Sequence, residues 1–396
     1  MKATAPQPAA DPATTAGKEV PFGVNEVRLT SKQWIAAILI VGALAALTPP
    51  IWQKIEVFDT GPDYRIPYDL SKDYWLYSRT VSQVAGQYKI VLLGDSVVWG
   101  EYVLPDGTLS HFLNQEAGVT NCFINAGLNG LFPLAQEGLV TYYSRALHNQ
   151  KIILHCNLLW LTSPKADLST TKEEQFNHSR LVPQFVPRIP CYKADGNERF
   201  SAVVQRDVGF IAWVNHLQNA YFGQKSILAW TLEDDGANPP HYVHAWSNPL
   251  RQIKLAVPSA PKADPQRGPT SPRHKPWSDN GQGTVQFEWV DLGASLQWQA
   301  FQRVVRTLRE RGNDVLVVLG PFNEHMMVEE NRASFGKIRD GVASWLAQNH
   351  IPHVIPETLP STLYADASHP LTQGYQSLAK RIWEQESFRK WISSVR

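Results

Sequence analysis

Five short apolar runs punctuate this chain, and the stretches between them carry apolar residues at three- and four-residue spacing. The runs cover residues 89–93, 121–124, 151–154, 314–319 and 353–356. Each is short enough and sufficiently rich in apolar and β-branched side chains to be a strand buried on both faces. Helical patterns fall between them. Residues 75–84 form one candidate, and Thr108 is placed to cap a second that carries Leu109, Phe112 and Leu113. Pro133 suits the first turn of a helix reaching Leu147. Ser295 starts a helix with Phe301, Val304, Val305 and Leu308 on one face, stopped at Gly312. Phe335, Ile338, Val342 and Leu346 mark another, and residues 375–383 a last one. Strand and helix in alternation predict an α/β fold with a parallel sheet covered on both faces. In such sheets ligands bind beyond the carboxyl ends of the strands.

The N-terminal region breaks this pattern. Up to about Thr30 the chain is rich in Ala, Pro and Thr without apolar periodicity, and residues 1–33 read as a disordered tail. Residues 34–52 then contain no charge and are bounded by Trp34 and Trp52, which predicts a single transmembrane anchor. A cleaved signal peptide ending near Ala43-Leu44-Ala45 is the alternative, but it requires an unusually long leading segment. Lys2, Lys18, Arg28 and Lys32 precede the apolar segment, which places the tail in the cytoplasm and the remainder on the extracytoplasmic side. Residues 53–87 read as a juxtamembrane stem and residues 88–396 as the main domain, with a long insertion at about 164–291.

Composition narrows the classes. A hydrophobic content of 43% with 14 Trp supports one large core. The net charge of +1, with no basic stripe, gives no reason to expect a nucleic-acid partner. Cys122, Cys156 and Cys191 lack metal or redox spacing and read as small buried hydrophobes. His241 and His244 lie three apart, but no third ligand accompanies them, so no metal and no cofactor is expected.

Chemistry-bearing residues collect at the strand ends. Gly94-Asp95-Ser96 follows the first run, Asn125 to Gly130 the second, His155-Cys156-Asn157 the third and Gly320 to His325 the fourth, so four distant segments would share one rim. Near the C-terminus stands Asp366-Ala367-Ser368-His369. A serine hydroxyl is a poor nucleophile without a base, and Ser96, His369 and Asp366 supply nucleophile, base and orienting carboxylate. Trp99, His155, Asn323 and His325 fall on the same rim segments and are candidate substrate contacts. No G-x-S-x-G elbow occurs, which disfavours an α/β-hydrolase.

A Gly-Asp-Ser block early and a D-x-x-H block late resemble the SGNH (GDSL-type) hydrolase superfamily. The resemblance runs from about Tyr88 to the C-terminus, with Asn125-Ala126-Gly127-Leu128-Asn129-Gly130 as the glycine block and Asn157 at the family's asparagine. His155 stands where the family has Gly, and Leu158 where it has Asp. The resemblance implies a flavodoxin-like three-layer α/β/α sandwich, a Ser96 acyl-enzyme, and an oxyanion hole formed by the amides of Ser96 and Gly130 with the side chain of Asn157. An anchored SGNH domain also resembles proteins that work beside membrane-bound O-acyltransferases on exported polysaccharides. This implies an acyl donor and a carbohydrate acceptor as partners. Water in place of a sugar hydroxyl makes the same acyl-enzyme an esterase or lipase. An inactive SGNH-fold protein that binds a glycan or a partner is the third reading.

Within the insertion, residues 208–228 read as one buried helix, and the Pro-, Ser- and Gly-rich residues 236–282 as an extended loop. Trp213, Trp230, Trp246 and Trp277 are candidate stacking faces for sugar rings.

Overall fold

The computed structural model describes residues 29–226, 228–229, 256 and 274–393. The chain divides into two compact units, Met1–Thr48 and Pro49–Arg396. Helix α1, Ser31–Ile55, carries a window of mean hydropathy 2.1 and is long and apolar enough to cross a membrane. Its 25 residues extend roughly 37 Å at the usual helical rise, against a hydrocarbon layer of about 30 Å. Expected at 34–52, the helix runs further at both ends. Thr30 and Gln33 exchange hydrogen bonds at its start, and the helix continues through the polar turn that ends at Ile55.

The larger unit is an α/β structure built on a five-stranded, wholly parallel sheet. Its strands are β1 Ile90–Gly94, β2 Phe123–Gly127, β3 Lys151–Cys156, β4 Asp314–Leu319 and β5 His353–Val354, in the order β2-β1-β3-β4-β5. Eleven α-helices are present among the described residues. After α1 these are α2 Tyr74–Val84, α3 Ser96–Trp99, α4 Leu109–Glu116, α5 Pro133–Tyr143, α6 Gly196–Asp207, α7 Gly209–Ala220, α8 Leu296–Glu310, α9 Glu329–Gln348, α10 Thr372–Glu384 and α11 Glu386–Ser393.

Strand side chains alternate between two apolar clusters, as the two-residue period of a strand requires. Val91, Leu93, Ile152, Leu154, Val315 and Val317 join α2, α5, α8 and α9 on one face. Ile90, Leu92, Ile153, Leu316 and Val318 join α4, α10 and α11 on the other. Leu92, Ile152, Leu154 and Val317 are fully buried. Truncating any of them to Ala costs about 2–5 kcal/mol. Sequence signals set the helix ends: the side chains of Thr108 and Ser295 accept from His111 and Trp298, and Pro133 occupies a first turn.

Three expectations change. Residues 53–87 are not a separate stem, because Ile66, Leu70, Leu76, Tyr77 and Val81 belong to the main core. The insertion contributes Leu181, Val182, Ile189 and Cys191 to that core as well. Its expected helix at 208–228 is the shorter α7, and α6 precedes it. α6 opens on a capping box between Asp195 and Glu198. The expected tail up to residue 28 and most of the 236–282 loop, with Trp230, Trp246, His241 and His244, lie outside the described residues.

Strand order reverses between β1 and β3, since β2 lies to one side of β1 and the rest of the sheet to the other. Loops leaving β1 and β3 diverge at such a point and open a crevice at the carboxyl ends.

Candidate active site

The first residue beyond β1 is Asp95, the second Ser96. Asp95 caps α3 through Val97 N, so the strand passes directly into a short helix with Ser96 at its first position. Ser96 is 8% exposed and His369 is 6% exposed. Nε2 of His369 stands 2.7 Å from Ser96 Oγ. Its Nδ1 lies 2.8 Å from both carboxylate oxygens of Asp366. An ionised carboxylate only accepts, so Nδ1 donates, and Nε2 is left to accept the serine proton. Asp366 also accepts from the backbone amides of Ser368 and His369.

Electrostatics reinforces this order. Burial acts to raise the Asp366 carboxyl, but the charge and hydrogen bond of His369, with the two amides, bring it down to about 2. Burial acts against a charged His369, yet Asp366, followed by Glu101 and Asp95, raises the imidazole above its ordinary value. The hydrogen-bonded chain therefore has a carboxylate end held in its ionised form at neutral pH and a base whose charged form is stabilised.

Gly130 follows β2 at φ +71°. A Cβ there would come within 2.2 Å of Asn177 Nδ2, so both backbone and space require glycine. Asn177 and its neighbour His178 come from the insertion, and no motif marked them. His178 is buried between Tyr74 Oη at 2.9 Å and the carbonyl of Asn129 at 2.8 Å. Its burial pushes the imidazole down to about 4, so it is neutral, donating to Asn129 and accepting from Tyr74. It fixes the loop that carries Gly130. A cleft of about 620 Å³ opens beside Gly130, lined in part by Phe132, Lys165, Phe176 and Asn177.

The remaining rim residues take supporting positions. Asn157 is fully buried, and one of its two amide hydrogens goes to Asp95 Oδ2 at 2.8 Å, while its carbonyl accepts from Leu159 N. Only the second amide hydrogen is left for an oxyanion. His155 was expected among the substrate contacts; it is instead 1% exposed behind Asp95, with Nδ1 3.1 Å from Asp95 Oδ1 and Nε2 3.0 Å from the Gly320 carbonyl. Both ring nitrogens therefore face an acceptor. Trp99 is also interior: its indole donates to the Ile66 carbonyl at 2.7 Å, and the Arg65 guanidinium lies 4.0 Å from the ring centroid. Asn323 is fully buried and ties its loop to the carbonyls of Asp366 and Ala367. His325 donates to the Leu359 carbonyl. Trp99, His155 and Asn323 are thus interior, tied to backbone carbonyls and Asp95, whereas His325 is exposed with only its Nε2 held by a carbonyl.

Asp95 is the hub that sequence reasoning missed. It accepts from Val97 N, His155, Asn157 and, at 3.2 Å, from Trp160 Nε1. Burial acts to raise it, but His155 and these hydrogen bonds hold it below the usual carboxylate range. Its place inside Gly-Asp-Ser was the available signal. Trp213 is half-buried against Trp52 and Phe210, and Trp277, at 8% exposed, offers no open stacking face. Among the described residues no group of three or more His, Cys, Asp or Glu side chains is arranged to hold a metal.

No family model matches the chain, and no curated protein matches it.

Proposed function

We propose that this chain is a serine acyl-ester enzyme of the SGNH type, acting through an acyl-enzyme on Ser96. We favour transfer of an acyl group to a carbohydrate hydroxyl over hydrolysis. The observation that carries the reading is the continuous hydrogen-bonded chain from Ser96 Oγ through His369 to Asp366, assembled from segments 273 residues apart. In the first step Ser96 Oγ attacks the donor carbonyl and His369 Nε2 takes its proton. That proton then passes to the leaving alcohol, and the acyl group remains on Ser96. The tetrahedral oxyanion takes hydrogen bonds from the amides of Ser96 and Gly130 and from the remaining amide hydrogen of Asn157. In the second step the acceptor hydroxyl gives its proton to His369, its oxygen bonds to the acyl carbon, and Ser96 leaves with the proton.

The strand order, the two helical faces and the placement of Ser96 at the reversal of strand order support an SGNH-type three-layer sandwich. Helix α1 supports a single-pass anchor, and the basic residues before it support an extracytoplasmic catalytic unit beside a membrane-bound O-acyltransferase. The same acyl-enzyme resolved by water is the esterase reading. An inactive binding protein accords poorly with an intact Ser-His-Asp chain.

The test uses the full chain in detergent with p-nitrophenyl acetate, as wild type and as Ser96→Ala, with and without oligosaccharide. Ser96-dependent mass gain on the sugar is expected. Ser96-dependent release without transfer moves the assignment to an esterase, and equal release from both proteins overturns it.

A further inference from the structure

The turn that leaves α3 brings a second carboxylate to the nucleophile. Glu101 Oε2 lies 3.8 Å from His369 Nε2, the nitrogen that faces Ser96. Asn129, next to Gly130, donates to the same oxygen at 3.1 Å. The Glu101 amide donates to the Ser96 carbonyl, and Arg65 grips the carbonyls of Trp99, Gly100 and Val103, so the turn is rigid. The Glu101 side chain is 20% exposed, enough for a bound molecule to reach it.

Tyr102 follows at φ +69°, a conformation that is strained for a bulky residue. Its ring stands edge-on to His369 at 5.4 Å and against His274 at 4.2 Å. The reacting edge of the site is therefore bordered by a carboxylate and an aromatic ring.

Once Ser96 is acylated, its oxygen has no proton to give, and His369 Nε2 becomes a free acceptor. Glu101 Oε2 is then a second acceptor beside it. The oxygens of a gauche vicinal diol lie roughly one hydrogen-bond length apart, so one hydroxyl can donate to His369 while its neighbour donates to Glu101. We propose that Glu101 is an acceptor-binding, specificity-determining residue that selects vicinal diols, with Tyr102 as the apolar wall against which the carbon skeleton rests. This inference rests on the acyl-enzyme reading above and names the acceptor class for the same site. The reacting hydroxyl loses its proton to His369 and its oxygen bonds to the acyl carbon. The Ser96 ester bond breaks and Oγ recovers the proton. Glu101 holds the neighbouring hydroxyl and exchanges no proton.

The experiment follows partitioning of the acetyl-enzyme formed from p-nitrophenyl acetate by the full chain in detergent. Competing acceptors are water, ethylene glycol and its monomethyl ether, which keeps one hydroxyl and loses the second donor. Wild type is expected to prefer the glycol roughly tenfold beyond the statistical advantage of its two hydroxyls, and Glu101→Gln to lose that preference. The acceptor comparison in wild type needs no variant, so it holds even if Glu101→Gln folds poorly. Ser96-dependent acetylation with equal use of glycol and ether overturns this proposal alone, as does an undiminished preference in a folded Glu101→Gln protein. Absence of Ser96-dependent acetylation overturns the acyl-enzyme reading and this proposal with it.

Discussion

His369 and His216 are both buried and both meet an aspartate through Nδ1, at 2.8 and 2.7 Å. They differ at Nε2. That atom of His369 faces the hydroxyl of Ser96 at 2.7 Å, whereas that of His216 faces a second carboxylate, Glu56, at 2.8 Å. A hydroxyl can give up its proton, so the imidazole between Asp366 and Ser96 can cycle between neutral and charged forms. An imidazole between two carboxylates has no such freedom. Burial acts against its charge, but Asp73 and Glu56 together raise His216 to about 9. Arg79 and Tyr221 complete the Glu56 shell, so the group links the start of the larger unit, α2 and α7. One site is arranged for proton transfer and the other for holding elements together. A buried histidine with an aspartate is therefore not diagnostic; the partner on the opposite nitrogen is.

The sharpest way to break this contrast is to remove the partner at Nε2. Ser96→Ala is expected to lower p-nitrophenyl acetate turnover by about 10⁴-fold or more with little change in melting temperature. His216→Gln is expected to do the reverse. It leaves the buried Asp73 without its cation, while Glu56 keeps Arg79, and costs about 3–5 kcal/mol in denaturant unfolding. A His216→Gln protein as stable as wild type would remove the structural half of the comparison.

Asp95→Asn lies between these extremes, since Asp95 serves both fold and site. An amide in its place sets a donor against the donors of Asn157 and Trp160 at 1% exposure, so it is expected to cost a few kcal/mol and to lower turnover. Gly130→Ala acts on the oxyanion loop. With one donor displaced, turnover is expected to fall about 10²-fold, measured as kcat against the same ester. Unchanged kcat would place the hole elsewhere.

The smallest effects are in pH. The folded value for His216, about 9, lies above the ordinary 6.5. Its contribution to stability is therefore complete below about 6.5 and lost as pH rises through about 9, visible as a falling melting temperature that His216→Gln does not share. His369 is also raised, and acylation needs its neutral form, so the acid limb of kcat/KM is expected above the ordinary imidazole value.

Much of the Ser96-His369-Asp366 arrangement was legible because strands and their exits are local signals. Each of the five apolar runs coincides with a strand to within a few residues; Ser96 stood in a short motif at a predicted rim, and Asp366 and His369 in a second motif near the C-terminus. Direction was harder to read. Trp99, His155 and Asn323 were placed on the correct segments, but whether a side chain turns to substrate or to the interior depends on acceptors such as Asp95 and the Gly320 carbonyl. Those acceptors are brought close only by the fold. The same applies to His178 and Asn177, which reach the Gly130 loop from the insertion with no spacing to announce them. Residues 53–87 were misread because mixed aromatic and charged residues hide a buried stripe, Ile66, Leu70 and Tyr77, that becomes apparent only against the sheet.

The central claim is that Ser96 carries the acyl group. The most direct measurement is peptide mass spectrometry on the full chain, acid-quenched within seconds of mixing with p-nitrophenyl acetate, in parallel with His369→Ala. An acetyl group on the peptide containing Ser96 in the wild-type protein, absent from the His369 variant, is the predicted result. Acetylation spread over surface lysines to the same extent in both proteins, with Ser96 unmodified, would contradict it.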